Sequence, residues 1–122
     1  GFDLLAAELL LIFRRNNTFR LVMVLPFRAQ AANFPPEWKR RYENVLSQAD
    51  EIIYTSEKYH NRCYAERNEY MVDKSERVVA FCDGKSGGTL NTLRYARRKG
   101  RNIINIEEEL KQELNYTIYE LL

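Results

Sequence analysis

The sequence alternates between short apolar runs and longer segments with helical spacing, and this alternation restricts the fold more than any other feature. The apolar runs, which favour strands, cover residues 19–25, 51–55, 77–82 and 102–106. The other segments favour helices at residues 3–15, 36–49, 59–72, 89–99 and 107–114. Strands that alternate with helices in this way are joined by right-handed crossovers. The pattern therefore predicts an α/β domain with a doubly wound, mainly parallel sheet and helices on both of its faces.

Individual residues mark the ends of several elements. Asp3 can cap the first helix, Pro36 suits the first turn of the second, and Gly100 stands where a C′ glycine would end the fourth. The run 19–25 is almost continuously apolar up to Pro26, which is typical of a strand buried on both faces.

The two ends of the chain carry more apolar surface than a small domain needs. The first helix is apolar on most faces, so we expect it to contact another chain or to make residues 1–122 poorly soluble. Because the chain opens with Gly1 rather than Met, we expect that it lacks upstream residues. The closing segment 115–122 is expected to dock on the domain or on a neighbouring subunit.

Length and composition narrow the class of protein. With 122 residues, 45% apolar and 30% charged, the chain suits one globular domain. A net charge of +2 is too small to draw nucleic acid to the whole surface. Cys63 and Cys82 stand in apolar contexts without a Cys-x-x-Cys pair, which indicates reduced thiols. Since no signal peptide or membrane-spanning run is visible, we expect a cytoplasmic protein without a membrane partner.

The strongest functional signal is a glycine-rich turn between a predicted strand and a predicted helix, Asp83-Gly84-Lys85-Ser86-Gly87-Gly88-Thr89. Ligands of open parallel sheets bind beyond the carboxyl ends of the strands, where this turn would lie. Glycines let backbone N–H groups approach an anion, and the helix N-terminus adds partial positive charge. Thr89 could cap the helix or donate its hydroxyl to a phosphate oxygen. The turn therefore indicates a phosphate site; the alternative is that its glycines serve only tight packing.

Residues outside the turn extend this pattern. Arg67-Asn68 precede the strand, Tyr95-Ala96 and Gly100 follow the turn, and the chain opens with Gly1-Phe2-Asp3-x-x-Ala6-Ala7-Glu8. Together they resemble the YpsA-like branch of the SLOG superfamily, a Rossmann-like group that includes the DNA-processing protein DprA and the LOG phosphoribohydrolases. The resemblance covers nearly all of the chain. It implies a bacterial protein with a three-layer Rossmann-like domain over residues 1–122, whose first strand, a helix and a second glycine-bearing strand end lie upstream.

The resemblance and the strand ends together assign a set of ligand-binding residues. They are Gly1, Asp3, Arg28, Arg67, Asn68, Asp83, Gly84, Gly87, Gly88 and Thr89. In the LOG enzymes an Arg and a Glu act on an N-glycosidic bond. Arg67 keeps the arginine, but Asn91 and Thr92 stand where the glutamates would be, and neither can stabilise oxocarbenium charge. No catalytic residue is therefore assigned, although Asp3, Glu57 or Asp83 could substitute.

Several of these residues, and some others, also have plainer explanations. Arg67 could pair with Glu66 or Glu69, Arg28 could lie in a surface loop, and His60 has no Ser or Cys partner in a catalytic motif. The basic run 94–101 suits a helix C-terminus, with a nucleic-acid patch as the alternative.

We therefore expect a protein that binds or senses a nucleotide-like small molecule, with no metal or further cofactor assigned. One alternative is a nucleotide-processing hydrolase of the phosphoribohydrolase type. Another is a nucleic-acid-associated protein similar to DprA, which the small net charge disfavours. Assembly into a homo-oligomer stays open.

Overall fold

The computed structural model describes residues 2–85 and 87–121, with side chains described up to residue 113. Its helices are α1 (Phe2–Phe13), α2 (Pro36–Gln48), α3 (Cys63–Asp73), α4 (Gly88–Arg98) and α5 (Ile106–Leu121). They alternate with the strands β1 (Val22–Leu25), β2 (Glu51–Tyr54), β3 (Arg77–Ala80) and β4 (Asn102–Asn105). The chain divides into two compact units, Gly1–Arg67 and Asn68–Leu122, and each is described by itself.

Each unit contains one pair of parallel strands. In the first, β1 pairs with β2 so that Val22 faces Glu51 and Leu25 faces Tyr54. In the second, β3 pairs with β4, with Ala80 opposite Asn105. Parallel strands joined through helices confirm the α/β class predicted from the alternating pattern, and they fit a Rossmann-like fold.

The core of the first unit lies between α1, α2 and the start of β1. Its buried side chains are Leu4, Ala7, Leu21 and Val45, against which Leu11 and Met23 pack. An ion pair supports the same helix contact, because Nε and Nη2 of Arg41 donate to the two carboxylate oxygens of Glu8 at 2.8 and 2.7 Å. Both side chains are half-buried, and the Arg41 guanidinium also lies 4.6 Å from the centre of the Trp38 ring.

The first strand is shorter and more exposed than its sequence predicts. It begins at Val22 because the N–H of Leu21 donates to the Asp50 carboxylate at 2.7 Å and the N–H of Asp50 donates back to the Leu21 carbonyl. A side chain thus takes the place of a strand neighbour. The prediction of burial on both faces is wrong for this strand: Val22 is exposed, and Met23 and Val24 are half-buried.

Other predicted boundaries also differ from the structure, and β3, for example, ends at Ala80 rather than Cys82. Helix α3 begins at Cys63 rather than Tyr59, because the N–H of Cys63 closes a turn onto the carbonyl of His60. Helix α1 begins at Phe2, so Asp3 lies inside the first turn rather than at the N-cap. Helix α5 continues to Leu121, and the side chains of the predicted docking tail lie outside the described residues.

The second unit confirms the predicted helix end at Gly100. Gly100 has φ = +70°, its N–H donates to the Arg97 carbonyl, and the N–H of Arg101 donates to the Ala96 carbonyl. These two bonds and the left-handed glycine form a Schellman motif. The core of this unit is Ala80, Cys82 and Leu93, with Val78, Leu90 and Ile103 packed against it.

Helix α1 has apolar side chains on two faces, of which only one is buried. The buried face carries Leu4 and Ala7. The exposed large apolar side chains of this helix are Leu5, Leu9, Leu10, Ile12 and Phe13. No helix among the described residues is long and apolar enough to cross a membrane.

We expect the exposed face of α1 to limit solubility. The double variant Leu9→Lys, Phe13→Lys should raise the saturation concentration of the chain. Its free energy of unfolding should stay within about 0.5 kcal/mol of the parent, since both positions are exposed. Ala7→Lys is the matched control, because it places a charge in the core and should unfold the chain. Equal saturation concentrations for the parent and the double variant would contradict the expectation.

Two carboxylates should make the first unit sensitive to acid. The hydrogen bond from Arg41 lowers the pKa of Glu8, and the N–H of Leu21, together with Arg14, lowers the pKa of Asp50. A carboxyl whose pKa is lower in the folded chain stabilises it fully above the unfolded pKa of about 4. That contribution disappears as the pH falls through the folded pKa.

Glu8→Gln should therefore lower stability near neutral pH and reduce the stability lost on going to about pH 3. Urea unfolding followed by circular dichroism measures both effects, with the exposed Glu43→Gln on α2 as a control that should change neither.

Candidate functional site

The carboxyl end of β3 is held by a side-chain amide from β4. The N–H of Cys82 donates to Oδ1 of Asn105 at 3.0 Å, and Nδ2 of Asn105 donates to the carbonyl of Cys82 at 2.9 Å. Asn105 is buried, so these bonds form away from water. The amide extends the pairing of β3 and β4 two residues beyond Ala80 and fixes the point where the chain leaves the strand.

The glycine turn begins at Asp83, directly after Cys82. Oδ1 of Asp83 accepts a hydrogen bond from the N–H of Lys85 at 3.0 Å, which closes an Asx turn. Gly84 has φ = +80° and Gly87 has φ = +144°, conformations that side chains strongly disfavour. Ser86, between them, lies outside the described residues. Two of the glycines are therefore required by the path of the backbone.

Gly88 differs from its neighbours in the turn. It is the first residue of α4, its φ is not positive, and a Cβ built on it would meet none of the described atoms within 4 Å. Neither the backbone conformation nor local packing thus explains a glycine at this position. The packing alternative also fails at Gly84 and Gly87, where a Cβ would again meet nothing described within 4 Å.

Among the residues that the structure describes, no side chain caps the N-terminus of α4, which presents its backbone donors. Its N-cap is Gly87, and the first helical bond runs from the N–H of Asn91 to the carbonyl of Gly87. The N–H groups of residues 88–90 precede that bond, and the first turn contains no acidic residue. The predicted cap at Thr89 is wrong, because Thr89 lies inside the helix; its side chain is exposed.

The positions that correspond to the LOG glutamates show no hydrolytic arrangement. The Thr92 hydroxyl donates to the Gly88 carbonyl at 2.8 Å, within its own helix. Asn91 is exposed. Asn68, the first residue of the second unit, is half-buried on α3 and forms contacts within the protein.

In the first unit, the structure brings Arg67 and Asp3 together. Nη1 of Arg67 donates to the Val24 carbonyl at 3.4 Å, and Nη2 lies 4.0 Å from the Asp3 carboxylate. The Arg67 side chain is only 13% exposed, which argues against a solvated surface residue. Gly1, the neighbouring predicted site residue, lies outside the described residues.

Arg28 lies beyond β1 and is paired with Glu57, which lies beyond β2. Nε of Arg28 donates to Glu57 at 2.7 Å, and the guanidinium lies 4.5 Å from the centre of the Tyr54 ring. The hydrogen bond to Glu57 raises the pKa of Arg28, and the same bond lowers the pKa of Glu57. Glu57 is therefore ionised near neutral pH and cannot serve as a general acid there.

A Ser-His-Glu group, which the sequence did not reveal, lies beside this pair. Nε2 of His60 is 2.9 Å from the Ser56 hydroxyl and 3.3 Å from the Glu66 carboxylate. The N–H of Arg62 donates to Nδ1 of His60 at 3.3 Å, so in the neutral ring the proton is on Nε2. In that tautomer Nε2 donates to its neighbours and cannot take the proton of Ser56. The group therefore orders the loop after β2 rather than activating a nucleophile.

Part of the basic run at the end of α4 is engaged in structural contacts. Tyr95 donates its hydroxyl to Asp73 at 2.8 Å, and Nζ of Lys99 lies 3.8 Å from the same carboxylate. Arg101 donates to the carbonyls of Val72 and Asp73 at the end of α3. These contacts fit the helix-end explanation of the run. Among the described residues, no group of three or more His, Cys, Asp or Glu side chains could hold a metal ion.

A strand, a glycine turn and an uncapped helix N-terminus on parallel α/β architecture place the chain in the Rossmann-like class. Comparison with known proteins defines the family: the YpsA model, described as the YspA SLOG family, matches residues 1–118. The chain belongs to this family. Membership confirms the resemblance recognised in the sequence and indicates a nucleotide-related protein.

The similar proteins come from Bacillus. An uncharacterized SPbeta prophage-derived protein of Bacillus subtilis strain 168, YoqJ, is 29% identical over 120 residues, which cover 87% of this chain and 70% of YoqJ. A UPF0398 protein of Bacillus cereus strain B4264 is 29% identical over 106 residues, which cover 82% of this chain and 56% of that protein. The chain thus spans little more than half the length of the UPF0398 protein.

Sequence reasoning missed Asn105 as a residue that positions the site. Asparagine is uncommon inside strands, and at the carboxyl end of β4 this feature could have drawn attention to it. Its partner could not be identified from the sequence, because the contact depends on the register of β3 against β4.

We expect Asn105→Leu to destabilise the chain by about 2–4 kcal/mol, because it leaves the buried N–H and carbonyl of Cys82 without partners. Urea unfolding measures this loss. Asn102→Leu, at the exposed start of the same strand, is the matched control and should cost less than about 0.5 kcal/mol. If both variants lose equally little stability, the amide bridge is unimportant.

Proposed function

We propose that this protein binds a nucleotide-like, phosphate-bearing small molecule at the turn from Asp83 to Thr89. The proposal depends mainly on the glycine at position 88. The described structure gives no conformational or packing reason for a glycine there, whereas close approach of an anion to the backbone requires one. The membership of the chain in a nucleotide-related family supports this choice of ligand class.

The electrostatics of the turn favour an anion. The N–H groups at the start of α4 carry the positive end of the helix dipole, and the first turn of the helix contains no carboxylate to offset it. The Lys85 side chain is 84% exposed and lies 3.8 Å from Asp83, so it can turn toward an incoming phosphate. The Asx turn at Asp83 orders residues 83–85 before binding, which reduces the entropy cost of ordering that segment.

Binding, rather than hydrolysis, is the activity that the residues support. Asn91 and Thr92 replace the carboxylates that glycosidic chemistry needs, and the Thr92 hydroxyl is bonded to its own helix. The carboxylate of Glu57, a possible substitute, is already engaged by Arg28 at 2.7 Å. For Asp3, Arg67 and Asn68, assignment to the ligand rests on the family resemblance, and for Arg28 it rests on the position of this residue beyond a strand end. The buried free thiols of Cys63 and Cys82 fit a reducing bacterial cytoplasm, which we propose as the location.

Substitution of Gly88 tests the phosphate site. Gly88→Ala should leave the free energy of unfolding unchanged or raise it by up to about 1 kcal/mol, because alanine suits a helix better than glycine. Its methyl group should weaken nucleotide binding at least about tenfold, and Gly88→Val should weaken it by about 3 kcal/mol, more than a hundredfold. Calorimetric titration of a nucleoside monophosphate panel and ribose 5-phosphate measures affinity, and circular dichroism monitors folding.

Gly100→Ala supplies the opposite control. Gly100 ends α4 with φ = +70°, so alanine there should destabilise the chain by about 1 kcal/mol or more while affinity is retained. If Gly88→Ala folds and binds the panel as tightly as the parent, the phosphate site at this turn is wrong.

A further inference from the structure

We propose that Tyr59 and Tyr64, joined through Phe27, form a stacking platform for a nucleobase beyond the carboxyl ends of β1 and β2. The choice of a nucleobase rests on the proposed function. The platform itself rests on the geometry of the first unit alone.

The three rings meet edge to face and leave tyrosine surface open. The Phe27 ring lies 5.7 Å from the Tyr59 ring at 76° and 6.1 Å from the Tyr64 ring at 90°. In an edge-to-face contact one ring covers at most one face of its partner. Tyr59 therefore keeps a face that Phe27 does not cover, and it is 64% exposed; Tyr64 is 43% exposed. A flat heterocycle can lie on such a face in the offset arrangement that aromatic rings prefer.

The platform lies where ligands of open parallel sheets bind. Phe27 follows Pro26, which is fully buried at the end of β1, while Tyr59 lies in the loop after β2. The N–H and the hydroxyl of Thr55 donate to the Leu25 carbonyl at 3.0 and 3.3 Å, so the ends of the two strands are tied together. Both aromatic contributions thus come from the carboxyl edge of this strand pair.

The loop that carries Tyr59 is ordered before any ligand binds. Its neighbour His60 contacts Ser56 through Nε2 and accepts the Arg62 N–H at Nδ1. The His60 carbonyl accepts the N–H of Cys63, which is fully buried at the start of α3. Because the backbone that carries Tyr59 is already ordered, stacking of a base on this ring requires little further ordering of the loop.

Polar groups next to the rings favour a base over a purely apolar ligand. Arg28 directly follows Phe27, and its guanidinium is held between Glu57 and the Tyr54 ring. These bonds use Nε and Nη2, so Nη1 is left to donate to an acceptor at the edge of a heterocycle. A flat π-system with hydrogen-bonding edges matches this combination.

The test uses two probes that separate this proposal from the phosphate site. Adenosine, which has a base but no phosphate, and ribose 5-phosphate, which has a phosphate but no base, are titrated into the full chain and followed by NMR. Tyr59→Leu should lower the affinity for adenosine about tenfold, because the substitution removes the aromatic ring but keeps an apolar side chain. Tyr59→Phe should bind adenosine like the parent. Neither variant should change the affinity for ribose 5-phosphate.

Tyr70→Leu, which removes a tyrosine from α3 in the second unit, is the matched control and should leave adenosine binding intact. The platform is overturned if adenosine does not bind the parent, or if Tyr59→Leu binds it as tightly as the parent does. The affinity of the Gly88→Ala variant for ribose 5-phosphate tests the proposed phosphate site separately.

Discussion

The glycine turn depends on one buried amide, that of Asn105. Regular pairing of β3 with β4 stops at Ala80, and without a further constraint the chain could leave the sheet in many directions. The Asn105 side chain imitates a strand neighbour for Cys82, with one acceptor and one donor in the geometry of a backbone. Because both bonds are buried, a misplaced Cys82 would leave unsatisfied polar groups, so the exit point of the chain is defined.

The first unit uses a related device at the opposite ends of its strands. The carboxylate of Asp50 accepts the N–H of Leu21, and its own N–H returns to the Leu21 carbonyl. Short polar side chains thus define where strand pairing starts in one unit and where it ends in the other. The carboxylates near the strand ends are largely partnered by cations. Glu57 with Arg28 and Asp83 with Lys85 are examples.

The sequence predicted the order and type of every helix and strand because periodicity and end signals are local. Pro36 at the start of α2 and Gly100 after α4 were identified from residue type alone, and both lie where they were predicted. The errors have non-local causes. Residues 59–62 have helical spacing, but the contacts of His60 hold them in a turn, and β1 starts late because of a side chain 29 residues away. The turn was recognisable as a candidate site, whereas the contacts of Asn105 and Ser56 depend on the register of strands and the path of loops.

The three glycines of the turn are subject to different kinds of constraint. Gly84 and Gly87 are fixed by backbone angles that other residues seldom adopt, so selection for folding alone should preserve them. Gly88 has an ordinary backbone conformation and open space before it, so folding alone would let it drift, with alanine the first replacement to accumulate. A library of variants passed through rounds of selection for folded, soluble protein would therefore separate the two glycines that shape this loop from Gly88, whose role we propose to be binding.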